Sequence, residues 1–252
     1  MDIKGLAGSL ISAFAACFFA CTRFLPGDQW LMTRGKGPIE ETMTRLSLPL
    51  WMVLAGLFLS ACSGSDTDFE PLFNGQDTSG MELVGISDTQ LIVEDGVLKC
   101  AAGDIGYWAT VESFRNYTLR LDFRFTRPEG LENDEDFTGN SGYLMHIQTP
   151  HTVWPPCIEV QGMNRDIGKI FAISGAAAVE SEDDPEARAQ ARNPVGEWNT
   201  LEITSQDGTF QSVLNDVILA ASSASNLIEG PIGFQCEGAE ISWRNIMLRR
   251  ED

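Results

Sequence analysis

Apolar and polar residues alternate along most of this chain, and residues 117–126 (YTLRLDFRFT) show it best. Leu119, Leu121, Phe123 and Phe125 mark one face; Arg120, Asp122 and Arg124 mark the other. A period of two is that of a half-buried strand. Similar short stretches occur at 91–93, 97–100, 107–111, 143–148, 158–162, 198–205, 210–214 and 217–221. Gly and Asn turn signals separate them, Asn215-Asp216 among them. About a dozen short strands at regular spacing, with no long amphipathic helix, predict an all-β, two-sheet antiparallel jelly-roll sandwich. Two segments interrupt the pattern. Residues 127–138 are acidic and read as a mobile loop; within the charged stretch 179–194, residues 185–191 fit one helical turn or a surface loop equally well.

A different pattern occupies the beginning. Residues 46–59 form an apolar run after Arg45, ending in Leu59-Ser60-Ala61-Cys62. A short basic start, an apolar core and small residues before a cysteine predict an exported lipoprotein, with signal peptide 43–61 and lipidation at Cys62. The membrane would then be reached through the lipid anchor, on the periplasmic or outer-surface side of the cell envelope. Residues 1–42 read as an extra leader or the product of an early start, with translation from Met43. Residues 62–68 form a polar tether, and 69–250 form the domain.

The full chain carries a net charge of −19. Five basic and four acidic residues lie in 1–61, so residues 62–252 carry −20. Such a surface repels nucleic acid and anionic lipid heads, and suits a neutral ligand or a cation. Beyond Cys62, three cysteines remain: Cys100, Cys157 and Cys236. Export permits a disulfide, but three cannot all pair, so at least one buried thiol is expected.

Candidate chemistry concentrates in residues 139–162 (GNSGYLMHIQTPHTVWPPCIEVQG), which hold both histidines, His146 and His151. Alternation places His146 and Gln148 on one strand face, and Glu159 and Gln161 on one face of the next. A loop with Pro150, Pro155 and Pro156 joins the two strands. An imidazole and a carboxylate over one concave surface are a common pair for proton transfer. The same alternation also fits the wet face of an antiparallel sheet. Trp154, held between prolines, is expected to be exposed, and Trp198 and Trp243 to be core.

In order along the chain come FEPLFNG (69–75), VEDGVL (93–98), YTLRLDFRF (117–125), GNSG (139–142), WPPCIEVQ (154–161), PVGEWNTLEI (194–203), GPIGFQ (230–235) and WRNIML (243–248). Together these resemble the 3-keto-disaccharide hydrolase domain family. The resemblance implies a concanavalin A-like jelly roll acting on an oligosaccharide or glycoside oxidised at C3. The ketone acidifies the C2–H, so a base and an acid cleave the C1 bond by elimination and then hydration. On this resemblance Glu159 is the base or a metal ligand and His146 its acid–base partner. Asn140, Gln161 and Gln235 match family positions expected to bind substrate, and Arg124, Trp154 and Glu237 are further substrate-binding candidates. No cofactor is required, although the chemistry admits a divalent metal, calcium or another. The sequence departs from the family where a histidine usually follows Glu-x-Gln; here residues 169–173 read KIFAI. Sugar binding without cleavage, or a purely structural module, are the alternative readings.

Overall fold

A computed structural model describes residues 68–251. The expected signal peptide, the Cys62 lipidation site and all but the last residue of the tether lie outside them. Among the described residues fifteen strands form two antiparallel sheets. In chain order these are β1 (Glu70–Pro71), β2 (Met81–Val84), β3 (Leu91–Glu94), β4 (Val97–Cys100), β5 (Ile105–Thr110), β6 (Tyr117–Phe125), β7 (Gly142–Met145) and β8 (Cys157–Gln161). They continue as β9 (Ile170–Ile173), β10 (Ser181–Asp183), β11 (Asn199–Gln206), β12 (Thr209–Leu214), β13 (Val217–Ser222), β14 (Gly233–Glu237) and β15 (Ile241–Arg250). The larger sheet runs β10-β13-β12-β11-β6-β15-β4-β3, with β1 added on β15. The smaller runs β2-β5-β14-β7-β8-β9. No helix among the described residues is long and apolar enough to cross a membrane.

The period-two reading of β6 holds: Leu119, Leu121, Phe123 and Phe125 are buried against the facing sheet. Between the sheets Trp108 stacks flat on Phe234 at 4.0 Å, and Trp243 meets both rings edge-on. Residues 185–191 resolve as a helix, α1 (Pro185–Ala191). Asp184 caps it, accepting from the Glu186 and Ala187 amides, and Pro185 starts its first turn, so capping outweighs the short length. Residues 127–138 are tied down: Arg127 donates to Asp134, to Leu131 O and to Val195 O.

One covalent link joins the two sheets. Cys100 at the end of β4 pairs with Cys236, the next-to-last residue of β14, while Cys157 is a buried free thiol.

Trp198 departs from the expectation of a core residue. It lies half-buried on the outer face of the larger sheet, with the guanidinium groups of Arg124 and Arg244 at 4.5 and 4.1 Å from its ring. Cation–π contact there replaces burial between the sheets.

Candidate active site

The outer face of the smaller sheet carries the site. On β8, Ile158 and Val160 join the core between the sheets, so Cys157, Glu159 and Gln161 face outward. On β14, Phe234 and Cys236 point inward, so Gln235 and Glu237 share that outer face. On β5, Tyr107 sits directly opposite Gln235.

Gly142 makes the centre of this face. A side chain there would meet Gln235 Oε1 at 2.1 Å and Glu159 Oε1 at 2.6 Å. Both oxygens therefore crowd over one point that the glycine leaves open, and no other residue fits beneath them. The β7–β14 ladder covers Leu144↔Gly233 and Tyr143↔Phe234; Asn140 lies just before β7 and Glu237 ends β14.

The polar atoms gathered here are largely unpartnered. Both amide atoms of Gln235, Oε2 of Glu237 and Oδ1 of Asn140 are buried with no hydrogen bond. Gln235 lies close enough to favour the ionised Glu159, yet neither of its amide atoms reaches good hydrogen-bond geometry. Among the described residues no Lys, Arg or His forms an ion pair with Glu159 or Glu237. Burial pushes Glu159 up to about 8, the charge of Glu237 adds to that rise, and burial pushes Glu237 up to about 7. Carboxyls that change protonation near neutral pH, facing open acceptors and one free amide donor, are suited to proton transfer.

The remaining sites expected from sequence divide clearly. Gln161 lies on the site face, but its Oε1 accepts from the Met163 amide and closes a local turn. Trp154 is 44 % exposed, as expected. Arg124 does not reach the site: the alternation that buries Leu121 and Phe123 turns it to the outer face of the opposite sheet, against Trp198.

His146 is also corrected. Leu144 shares the Glu159 face, so strict alternation would place His146 there too. Its φ of 55° is left-handed and breaks the alternation immediately after β7. The ring turns into the sandwich, fully buried, against Tyr117 and Phe210. Nδ1 lies 2.8 Å from Leu227 O, and Nε2 lies 3.1 Å from Arg115 O and 3.3 Å from Ser205 Oγ. Burial holds its basicity below the usual histidine value. His146 is a structural bracket, away from the face that carries Glu159 and Glu237.

The loop 148–156 walls one side. It leaves β7 and returns to β8, yet reaches past β14 and β5 to edge strand β2. There His151 Nδ1 lies 3.1 Å from Glu82, and Val153 packs over Gly85. Behind it Tyr107, Ala109, Leu144, Ile147 and Cys157 form a small second apolar cluster. The Tyr107 hydroxyl is buried and unpartnered, and burial, with smaller contributions from Glu82 and Cys157, pushes it up to about 12, so it stays protonated. Sequence reasoning passed over Tyr107 and Gly142: alternation at 105–110 marks the tyrosine's face, and the Asn-Ser-Gly turn marks the glycine. No group of three or more His, Cys, Asp or Glu side chains that could hold a metal ion occurs among the described residues.

Two antiparallel sheets with an outer polar face define a jelly-roll domain with a candidate site of paired carboxyls. The 3-keto-alpha-glucoside-1,2-lyase-like domain matches residues 68–249, and the chain belongs to that family. Two solved structures of candidate glycosyl hydrolases from Parabacteroides distasonis share the fold. One is 22 % identical with a TM-score of 0.53, covering 74 % of this chain and 95 % of that one. The other is 19 % identical with a TM-score of 0.53, covering 73 % and 99 %. The carbohydrate-binding module CBM66 of Bacillus subtilis is 14 % identical, with a TM-score of 0.50 over 68 % of this chain and 95 % of that one. No curated protein matches.

Proposed function

We propose that this domain cleaves the glycosidic bond of 3-keto-glycosides by elimination followed by hydration, with Glu237 and Glu159 as the proton-transfer pair. One observation carries this reading: a buried and a half-buried carboxyl share one face, among the described residues neither has a cation partner, and Glu159 crowds with an unpartnered Gln235 amide over Gly142. The more deeply buried Glu159 keeps its proton at neutral pH and is the acid; Glu237 is the base.

Glu237 takes the C2 proton, which the C3 ketone acidifies. Glu159 gives its proton to the departing C1 oxygen, leaving a C1=C2 double bond conjugated to the ketone. Glu159, now ionised, takes a proton from water as that water adds at C1. Glu237 returns its proton to C2, and both carboxyls regain their starting states. The Gln235 Nε2–H donates to the ketone oxygen while negative charge builds there. The lipid anchor at Cys62 would place this reaction at the cell envelope.

The test is incubation of the purified protein with a panel of 3-keto-disaccharides. Released reducing sugar is followed with and without EDTA, alongside Glu159→Gln and Glu237→Gln. Turnover that falls at least ~100-fold in either variant supports the pair. An EDTA effect would add a divalent metal. A second reading, sugar binding without cleavage, draws on exposed Trp154. Calorimetric binding of intact glycans with no turnover on any 3-keto substrate would favour it.

A further inference from the structure

We propose that the Cys100–Cys236 disulfide is the positioning element of the carboxyl-pair site, holding the part of β14 that is unpaired on its β7 side at the spacing that sets Glu237 against Glu159. The inference rests on the reading of that pair as the working centre.

The argument comes from unequal support along β14. On its β5 side the strand is paired over its whole length, Gly233 to Glu237. On its β7 side the ladder covers only Gly233 and Phe234. Meanwhile β7 stays paired to β8 from Gly142 to Met145. The sheet therefore opens between β14 and β7 at the residues that carry the site. Glu159 stands on the β8 side of that gap, and Gln235 and Glu237 on the β14 side.

Nothing at the tips of those side chains fixes them. Gln235 makes no side-chain hydrogen bond, and Glu237 Oε2 has no partner. Their placement depends on the backbone between them, and that backbone is Cys236. Its side chain points inward and is bonded to Cys100, whose own strand is paired with β3 and β15 of the larger sheet. Across the gap itself runs one side-chain bond, from Ser141 Oγ to Gln235 O at 2.9 Å. A covalent tie to a fully paired strand is stiffer than one hydroxyl contact, so the disulfide sets the width of the gap.

The test titrates the full chain by carboxyl 13C NMR, with Glu159, Glu237 and His146 followed separately. It compares the oxidised protein, the protein reduced with a phosphine, and oxidised Ser141→Ala. The expected result on reduction is a Glu237 midpoint that falls by about one unit or more toward the ordinary glutamate value as the gap widens, with His146 unmoved. Oxidised Ser141→Ala should keep the wild-type Glu237 midpoint. A folded, reduced protein with an unmoved Glu237 overturns the inference, as does a joint shift of Glu237 and His146, which would mean general loosening. Should reduction unfold the protein, Ser141→Ala decides alone: a moved Glu237 places control in the hydroxyl bond and not in the disulfide. Absence of turnover in both redox states counts against the proposed reaction and leaves the titration result standing.

Discussion

Glu159 and His146 respond to burial in opposite directions, and each leaves a mark on the pH dependence of stability. Glu159 is raised from its ordinary 4.5 to about 8, so its contribution is complete below 4.5 and is lost as pH rises through about 8. His146 is lowered from 6.5, so its contribution is complete above 6.5 and is lost as pH falls through its folded value. Thermal melts from pH 5 to 9 should show Glu159→Gln gaining on the wild type as pH rises, because the glutamine never has to ionise. In the proposed reaction the working pair is Glu237 and Glu159, and it sets the pH dependence of turnover. A base at about 7 and an acid at about 8 give a narrow bell in kcat/KM between those values, with both limbs belonging to the coupled pair. Two further substitutions separate site from scaffold. Gly142→Ala drives a methyl into Gln235 and Glu159, and should cost about 1–3 kcal/mol and at least ~10-fold in turnover. His146→Ala opens a core void and removes the side-chain partner of the Leu227 carbonyl, costing about 2–4 kcal/mol, yet the protein that remains folded should turn over normally. Denaturant unfolding and turnover per folded molecule check both.

Among the elements, the strands that follow simple alternation were legible. β6 and β8 bury the residues their pattern assigns, and Glu159, Gln235 and Glu237 face the side that pattern gives them. What escaped was whatever the backbone does at a single residue. His146 at a φ of 55° reverses the facing of its neighbours, and no polarity pattern signals that reversal. Asn245, at a φ of 50°, sits where the β15–β6 register shifts between Arg244 and Met247, and the sequence shows no mark of it. Three cysteines announced a free thiol but could not name which pair closes, because Cys100 and Cys236 lie 136 residues apart and meet only through sheet packing. Closing a loop of that length stabilises a fold by about 4–5 kcal/mol in the chain-entropy account. Reduction should therefore lower the thermal midpoint by roughly 10–20 °C, read by calorimetry with and without reductant.

For the molecule as a whole, the acidic surface and the proposed envelope location bear on the same question of access. A net charge of −20 over residues 62–252 disfavours anionic polymers and is compatible with the neutral sugar substrate proposed above. The anchored state has a direct check. Mass spectrometry of the membrane fraction should find Cys62 as a lipid-modified first residue and no tryptic peptide from residues 1–42.

The 148–156 loop is fastened by Gln148 at its base and by His151 to Glu82 at its far side, on the edge strand of the sheet that carries the site. If the proposed reaction occurs here, an anchored loop on the β2 side and none on the β9 side favour a chain terminus as the substrate. The expected habit is erosion of oligosaccharides one unit at a time from an oxidised end, with chain lengths falling stepwise and no mid-chain fragments. Shortening the loop should let internal scission begin.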